Sequence, residues 1–222
     1  PDELVRIEAH ARALGVASFE VADVTRHYYD TCIRYLIYGN VLKNGTYPLS
    51  VSAERIVQAI AVAEHAQKIG AGAIAHGSTG AGNDQVRFDM IFQSMAPEAE
   101  IITPIRDQQL SREAEIAFLK ANGVTMNFEK AAYSINKGLW GTSVGGKETL
   151  NSRQPLPEDA WPTPVSKTTP EKVSLRFEKG ELAAINDQPF DHPAQAIQYM
   201  QEMAQPFGIG RDIHVGDTII GI

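Results

Sequence analysis

The chain has 222 residues, 43% of them apolar and 21% charged, enough to bury a sizeable core as one large domain or a domain with an appendage. A formal net charge of −7 argues against non-specific nucleic-acid binding, and no apolar run approaches the roughly 18 residues of a membrane span. Cys32 is the only cysteine, which excludes an internal disulfide and fits a reducing, cytoplasmic setting.

The spacing predicts a helix from Pro1 to Leu14, with Leu4, Ile7, Ala11 and Leu14 on one face and Gly15 as its stop. Ala17 to Val21 alternates like a strand, and Val24 to Ile37 returns to helical spacing. After the turn Lys43-Asn44-Gly45-Thr46, Ser50 or Ser52 can cap a long amphipathic helix that ends near Ile69 at Gly70. Gly72 to Ala75 reads as a short buried strand, a helix starts at Asp84, and Ala99 to Ile102 reads as another strand. Thr103 to Arg106 leads into a loop, and a helix opened by Ser111 closes at Asn122-Gly123. This alternation of helices and short apolar strands predicts a parallel α/β sheet with right-handed crossovers, in which ligands sit at the carboxyl ends of the strands.

The character changes near residue 130, which divides the chain into segments 1–130 and 131–222. Ala131 to Gly146 is rich in Gly, Ser and Asn and lacks clear periodicity. Leu156 to Pro170, with Pro157, Pro162, Pro164 and Pro170, reads as an extended excursion or linker. Val173 to Glu178, the turn Lys179-Gly180 and Glu181 to Ile185 make a hairpin, followed by a helix from about Pro193 to Ala204. Asp217 to Ile222 reads as a closing strand. The chain opens directly on a helix-like segment and stops inside that strand-like run, so it is expected to be part of a longer protein.

Chemistry concentrates in His76-Gly77-Ser78-Thr79-Gly80-Ala81-Gly82-Asn83-Asp84-Gln85-Val86-Arg87-Phe88. A strand, a glycine-rich polar turn and a helix start together make an anion site: glycine lets the backbone approach a ligand and take positive φ, and the helix start offers N–H groups. Equally, such a turn can be glycine-rich only because the chain reverses tightly, with Asp84 as a helix cap and Arg87 solvated in the first turn. The spacing matches neither GxGxxG nor GxxxxGK[ST]. Ser134 and Ser143, nine residues apart in a Gly-rich stretch, could face one polar ligand or simply make turns. Trp140 and Cys32 read as packing residues. The histidines show no metal-ligand spacing, so no metal site is expected, and His76 beside the turn reads as a structural hydrogen-bonding partner.

The segment Ala75 to Phe88 resembles argininosuccinate synthases, which carry a near-identical, gap-free His-Gly-x-Thr-Gly-x-Gly-Asn-Asp-Gln-Val-Arg-Phe run. The resemblance extends to Asn44 through Arg55, to Tyr133 through Ser143 and to Gly208 through Asp212, and its wording is closest to the Bacteroidetes-like bacterial branch. It implies a PP-loop nucleotide-binding domain, of the adenine nucleotide alpha hydrolase-like type, followed by part of an α+β synthetase domain. It also implies ATP-dependent joining of citrulline to aspartate through a citrullyl-adenylate, with ATP as co-substrate accompanied by Mg2+ and no prosthetic group. On this resemblance Ala75, His76, Gly77, Ser78, Thr79, Gly80 and Gly82 lie against ATP. Thr79, Asn83 and Asp84 meet aspartate. Tyr47, Ser52, Asn83, Arg87, Ser134 and Ser143 meet citrulline. The full-length enzyme is expected to be a cytoplasmic homotetramer, without nucleic-acid or membrane partners.

Three features depart from the family. Its Ser-Gly-Gly-Leu-Asp-Thr-Ser pyrophosphate loop and its C-terminal portion have no counterpart in these 222 residues, so the chain alone is expected to be inactive. A family glutamate falls at about Gly216, where His214 or Asp217 could compensate. Two other readings stay open: a non-catalytic ligand-binding module of the same fold, and another PP-loop adenylating ligase of the amidotransferase type.

Overall fold

A computed structural model of the chain describes residues 2–45, 47–80, 82–124, 133–151 and 153–213. The expected closing strand, His214, Gly216 and Asp217 lie outside the described residues, as does Ala81 within the glycine turn.

The first helix, α1, runs Asp2–Ala13, one residue short of Leu14 at its end. The expected strand over 17–21 does not form. Alternation alone leaves backbone groups unpaired, and the segment finds no ladder partner among the described residues. The next helical stretch comprises α2 (Thr25–Tyr28), a π-helical turn (Tyr29–Ile33) and α3 (Arg34–Tyr38), with right-handed helical backbone at each junction. The wider i→i+5 turn sends Tyr28, Tyr29 and Ile33 into the core together, each no more than 2% exposed.

Helix α4 (Ser50–Ile69) is the hub of the molecule. Its N-cap is Leu49, in the left-handed region at φ 57°, with no side-chain cap, so neither Ser50 nor Ser52 caps it. Ser50 is already helical and its carbonyl accepts the Tyr28 hydroxyl, while Ser52 accepts Arg87. At the other end Gly70 takes φ 63° and closes the helix as expected. One face of α4, Ala59, Ala63 and Ala66, packs on Phe92 and Phe88 of α5 (Asp84–Met95); the small residues let the two helix backbones approach. Its N-terminal half contributes Val57 and Ala53 to a second cluster with Tyr28, Tyr29, Ile33, Ala194 and Trp140, to which Cys32 is peripheral.

Strands β1 (Ala73–Ala75) and β2 (Glu100–Ile102) pair in parallel, Ile74 opposite Ile101. The sheet meets the helices on one face: Ile74 is buried, but Ala73 and Ala75 are exposed, so the strand is not buried on both sides as its apolar sequence implied. Residues expected as a loop form a helical turn, α6 (Pro104–Asp107), because proline sits at its first position and Thr103 bonds Asp107. Ser111 caps α7 (Arg112–Ala121) by accepting from the Ala114 N–H.

The aperiodic stretch after residue 130 contains an antiparallel hairpin, β3 (Ser134–Gly138) and β4 (Gly141–Gly145). Its strands are glycine-rich and polar because both pack against or beside a cleft rather than into a hydrophobic core. The proline-rich stretch docks onto the segment that follows Ala204: Ser166 and Lys167 N–H groups donate to the Pro206 carbonyl, and Arg211 stacks 4.5 Å from the Trp161 ring centroid. Strands β5 (Leu175–Glu178), β6 (Glu181–Ile185) and the short β7 (Gln188–Pro189) form an antiparallel sheet, and α8 (Pro193–Ala204) packs on β6.

Candidate functional site

The glycine turn begins where β1 ends. The His76 N–H donates to the Ile102 carbonyl at 3.1 Å, carrying the parallel pairing one residue past the strand. The His76 ring lies against Phe88 and Phe92 and puts Nε2 2.9 Å from Asp89 Oδ1, while Nδ1 accepts the Ser78 N–H at 3.3 Å. With Nδ1 accepting, a neutral ring carries its proton on Nε2, facing the carboxylate. Asp89 also receives Arg106, whose Nη2 donates to Thr103 Oγ1 at 2.9 Å. His76 is therefore a strut beneath the turn.

Gly77 and Gly80 do not take positive φ, contrary to the expectation. A Cβ at Gly77 would come no nearer than 3.9 Å to Ile105, one at Gly80 3.7 Å from Arg106, and one at Gly82 3.6 Å from Thr79. These are ordinary contacts, so internal packing does not demand glycine at any of the three, nor does backbone strain at Gly77 or Gly80. The bare backbone instead leaves one side of the turn open.

Above the turn lies a cleft of about 2070 Å³. Ligand pockets for one small molecule run to about 1,000 Å³, so this one has room for more than one. Ser78, Thr79, Gly82, Asn83, Asp84 and Arg87 line it from the turn and α5, Tyr47 and Ser52 from α4 and the segment before it, and Ser134 and Ser143 from the hairpin. Ala75, His76, Gly77 and Gly80 are not on its wall. In the hairpin Asn136 faces Ser143 and Ser134 faces Gly145, so period-two alternation puts Ser134, Asn136 and Ser143 on one face.

A continuous polar chain runs along the cleft floor and, at Arg55, beneath it. Arg87 Nη2 donates to Ser52 Oγ at 3.2 Å, and Arg87 Nη1 lies 2.8 Å from Asp84 Oδ1. Arg55 Nε donates to the other Asp84 oxygen at 3.2 Å, and Arg55 Nη2 donates to Asn136 Oδ1 at 2.6 Å. Asn136 Nδ2 then donates to Ser143 Oγ at 3.4 Å. Asp84 is the first helical residue and Asn83 the N-cap, without a side-chain cap bond; Arg87, 15% exposed, is not a solvated first-turn residue. Asp84 is thus not the helix cap, and Arg87 is not solvated.

Two members of that chain, Arg55 and Asn136, were not picked out from the sequence as site residues. Both had a usable signal. Arg55 lies one helical turn after Ser52, and Asn136 two residues after Ser134, so each shares a face with a residue that was. Behind Arg55, Gln58 Nε2 donates to Glu54 Oε1 at 2.9 Å, and burial holds the Glu54 carboxyl above its ordinary value despite Arg55. Gly138 passes so close that a side chain there would overlap the Glu54 carboxylate.

Among the described residues no three His, Cys, Asp or Glu side chains converge as a metal cage.

Comparison with known proteins adds the following. A family model described as the arginosuccinate synthase N-terminal HUP domain matches residues 1–125, and one described as the arginosuccinate synthase C-terminal domain matches residues 133–222. Curated argininosuccinate synthases from Sulfurisphaera tokodaii and Methanocaldococcus jannaschii are each 37% identical, over 99% and 100% of this chain. The chain spans about half the length of these relatives, 56% of each.

Proposed function

The chain belongs to the argininosuccinate synthase family, and from that premise we propose that it supplies the substrate cleft of an ATP-dependent ligase joining citrulline to aspartate. The observation that carries the proposal is the convergence of Tyr47, Ser52, Thr79, Asn83, Asp84, Arg87, Ser134 and Ser143 on one cleft from three separate parts of the chain.

In this reading the guanidinium of Arg87 receives the citrulline α-carboxylate, a charge-assisted pairing, while Tyr47, Ser52, Ser134 and Ser143 take its remaining polar groups. Thr79 and Asn83 offer a hydroxyl and an amide to the aspartate carboxylates, and Asp84 offers its carboxylate to the ammonium. The backbone at Ser78, Thr79 and Gly82, the members of the ATP set that line the cleft, approaches ATP, with Ala75, His76, Gly77 and Gly80 behind it. The citrulline ureido oxygen attacks the α-phosphorus and diphosphate leaves, giving citrullyl-adenylate. The aspartate amino nitrogen then attacks the ureido carbon, loses a proton, and AMP leaves with its oxygen. This chemistry depends on alignment and charge stabilisation more than on a strong protein base. The parent enzyme is proposed to be a cytoplasmic homotetramer; among the described residues no helix is long and apolar enough to cross a membrane.

Calorimetric titration of the chain with citrulline, and separately with aspartate, tests the proposal. Citrulline binding that weakens about 10- to 100-fold on Arg87→Ala is the expected result, since a hydrogen-bonded charge is removed. Absence of citrulline binding, or equal affinity in the variant, overturns it.

A further inference from the structure

Arg55 does not line the cleft, yet it touches both halves of it. Its side chain is 17% exposed, and its three kinds of N–H group are spent on three different elements of the site. Nε holds Asp84 of α5, Nη2 holds Asn136 of β3, and Nη1 holds Gln58 of its own helix at 2.8 Å. A planar guanidinium fixes the angles among its donors, so these partners are held in one mutual geometry, which a point-charge ammonium cannot do.

The charges are arranged for exchange. Arg55 and Arg87 share one carboxylate, each on its own oxygen: Arg55 on Oδ2 and Arg87 on Oδ1. Glu54, 3.7 Å from Arg55, supplies a second negative charge. An ammonium entering at Asp84 meets a carboxylate whose two oxygens are already divided between the guanidiniums, and Arg87, which also reaches Ser52, has an alternative partner on that side of the cleft.

We infer that Arg55 is a positioning residue that couples the aspartate and citrulline subsites: it pins Asp84 so that an arriving ammonium frees Arg87, and it pins Asn136 and through it Ser143. The inference rests on the functional reading above and adds to it a linkage between the two amino-acid substrates. Coupling of this kind is reciprocal: aspartate must tighten citrulline by the same factor as citrulline tightens aspartate.

The test is titration of the chain with citrulline in the absence and presence of saturating aspartate, and the reverse, for the wild type, Arg55→Lys and Asn136→Ala. The wild type should show equal, reciprocal tightening of about 5-fold or more, the lower end of typical coupling. In Arg55→Lys, which keeps the charge but not the fork, the tightening should fall to less than about twofold while the unfolding midpoint stays near that of the wild type. Asn136→Ala cuts only the hairpin arm and should reduce the coupling without abolishing binding, which keeps the test decisive if the Arg55 variant does not fold. Undiminished coupling in either folded variant overturns the inference. Independent binding of the two ligands by the wild type overturns it as well, but leaves the functional reading standing. Binding of neither ligand overturns both.

Discussion

The indole Nε1 of Trp140 donates to the Pro48 carbonyl at 3.1 Å, tying the turn of the β3–β4 hairpin to the residues just ahead of α4. Leu49, the next residue, holds the left-handed conformation, φ 57°, which costs a non-glycine residue energy. Bonds on both sides keep it there: Trp140 on Pro48, and the buried Tyr28 hydroxyl on the Ser50 carbonyl at 2.8 Å. Tyr47 and Ser52 flank this strained point, so it orients one wall of the cleft.

Trp140→Phe keeps most of the packing and removes the bond to Pro48. The expected loss is about 1 kcal/mol of stability, read from urea unfolding, with citrulline affinity falling as well. Unchanged stability and affinity would show that the packing of Leu139 and the ring alone seat the hairpin.

Two glutamates should answer acid with opposite signs. Burial pushes the Glu181 carboxyl up, but hydrogen bonds from Arg34 at 2.7 Å and Tyr29 at 2.9 Å outweigh it and hold the carboxyl below its ordinary value. A depressed folded value means that its stabilisation is complete above the unfolded value, about pH 4.3, and is lost as pH falls through the folded one. Glu54 is raised by burial, so its ionised form opposes folding at neutral pH, and that penalty fades as the group protonates. Glu181→Gln should therefore destabilise at neutral pH, by about 1 kcal/mol after solvent screening, and flatten the acid limb. Glu54→Gln should be neutral or stabilising at neutral pH, with the difference shrinking toward about pH 4. Denaturant midpoints across that range check both, and shifts of the same sign would refute the assignment.

His76→Ala should cost about 1–3 kcal/mol by removing the strut to Asp89 and its packing on Phe88 and Phe92. Its effect on citrulline affinity should be small beside that of Arg87→Ala, because His76 does not line the cleft. A loss of affinity as large as that of Arg87→Ala, with stability unchanged, would instead make His76 a ligand contact.

Much of the fold is legible locally, because it is local physics. Gly70 and Ser111 end and begin helices through their own φ and hydroxyl, and the turn at Lys179-Gly180 closes β5 onto β6 where expected. The two misread strand regions share one cause. The strand pattern at 17–21 found no neighbour among the described residues, while Ser134 to Gly145, which lacked a pattern, paired into a hairpin. Strands depend on partners remote in sequence, and a polar, glycine-rich hairpin beside a cleft shows none of the alternation that a half-buried sheet imposes.

By itself the sequence determined the family, through one unbroken motif, and the position of the turn at the carboxyl end of a parallel strand. Only the tertiary structure decided how the site is wired. The link from Ser52 through Arg87, Asp84, Arg55 and Asn136 to Ser143 joins α4, α5 and the hairpin, and two of its members, Arg55 and Asn136, had no site role assigned from the sequence. The physical reason is distance along the chain. Asp84 meets Arg55 only because the alanines of α4 let the two helices close together, and Asn136 meets Arg55 only because Trp140 and Gly138 seat the hairpin against α4.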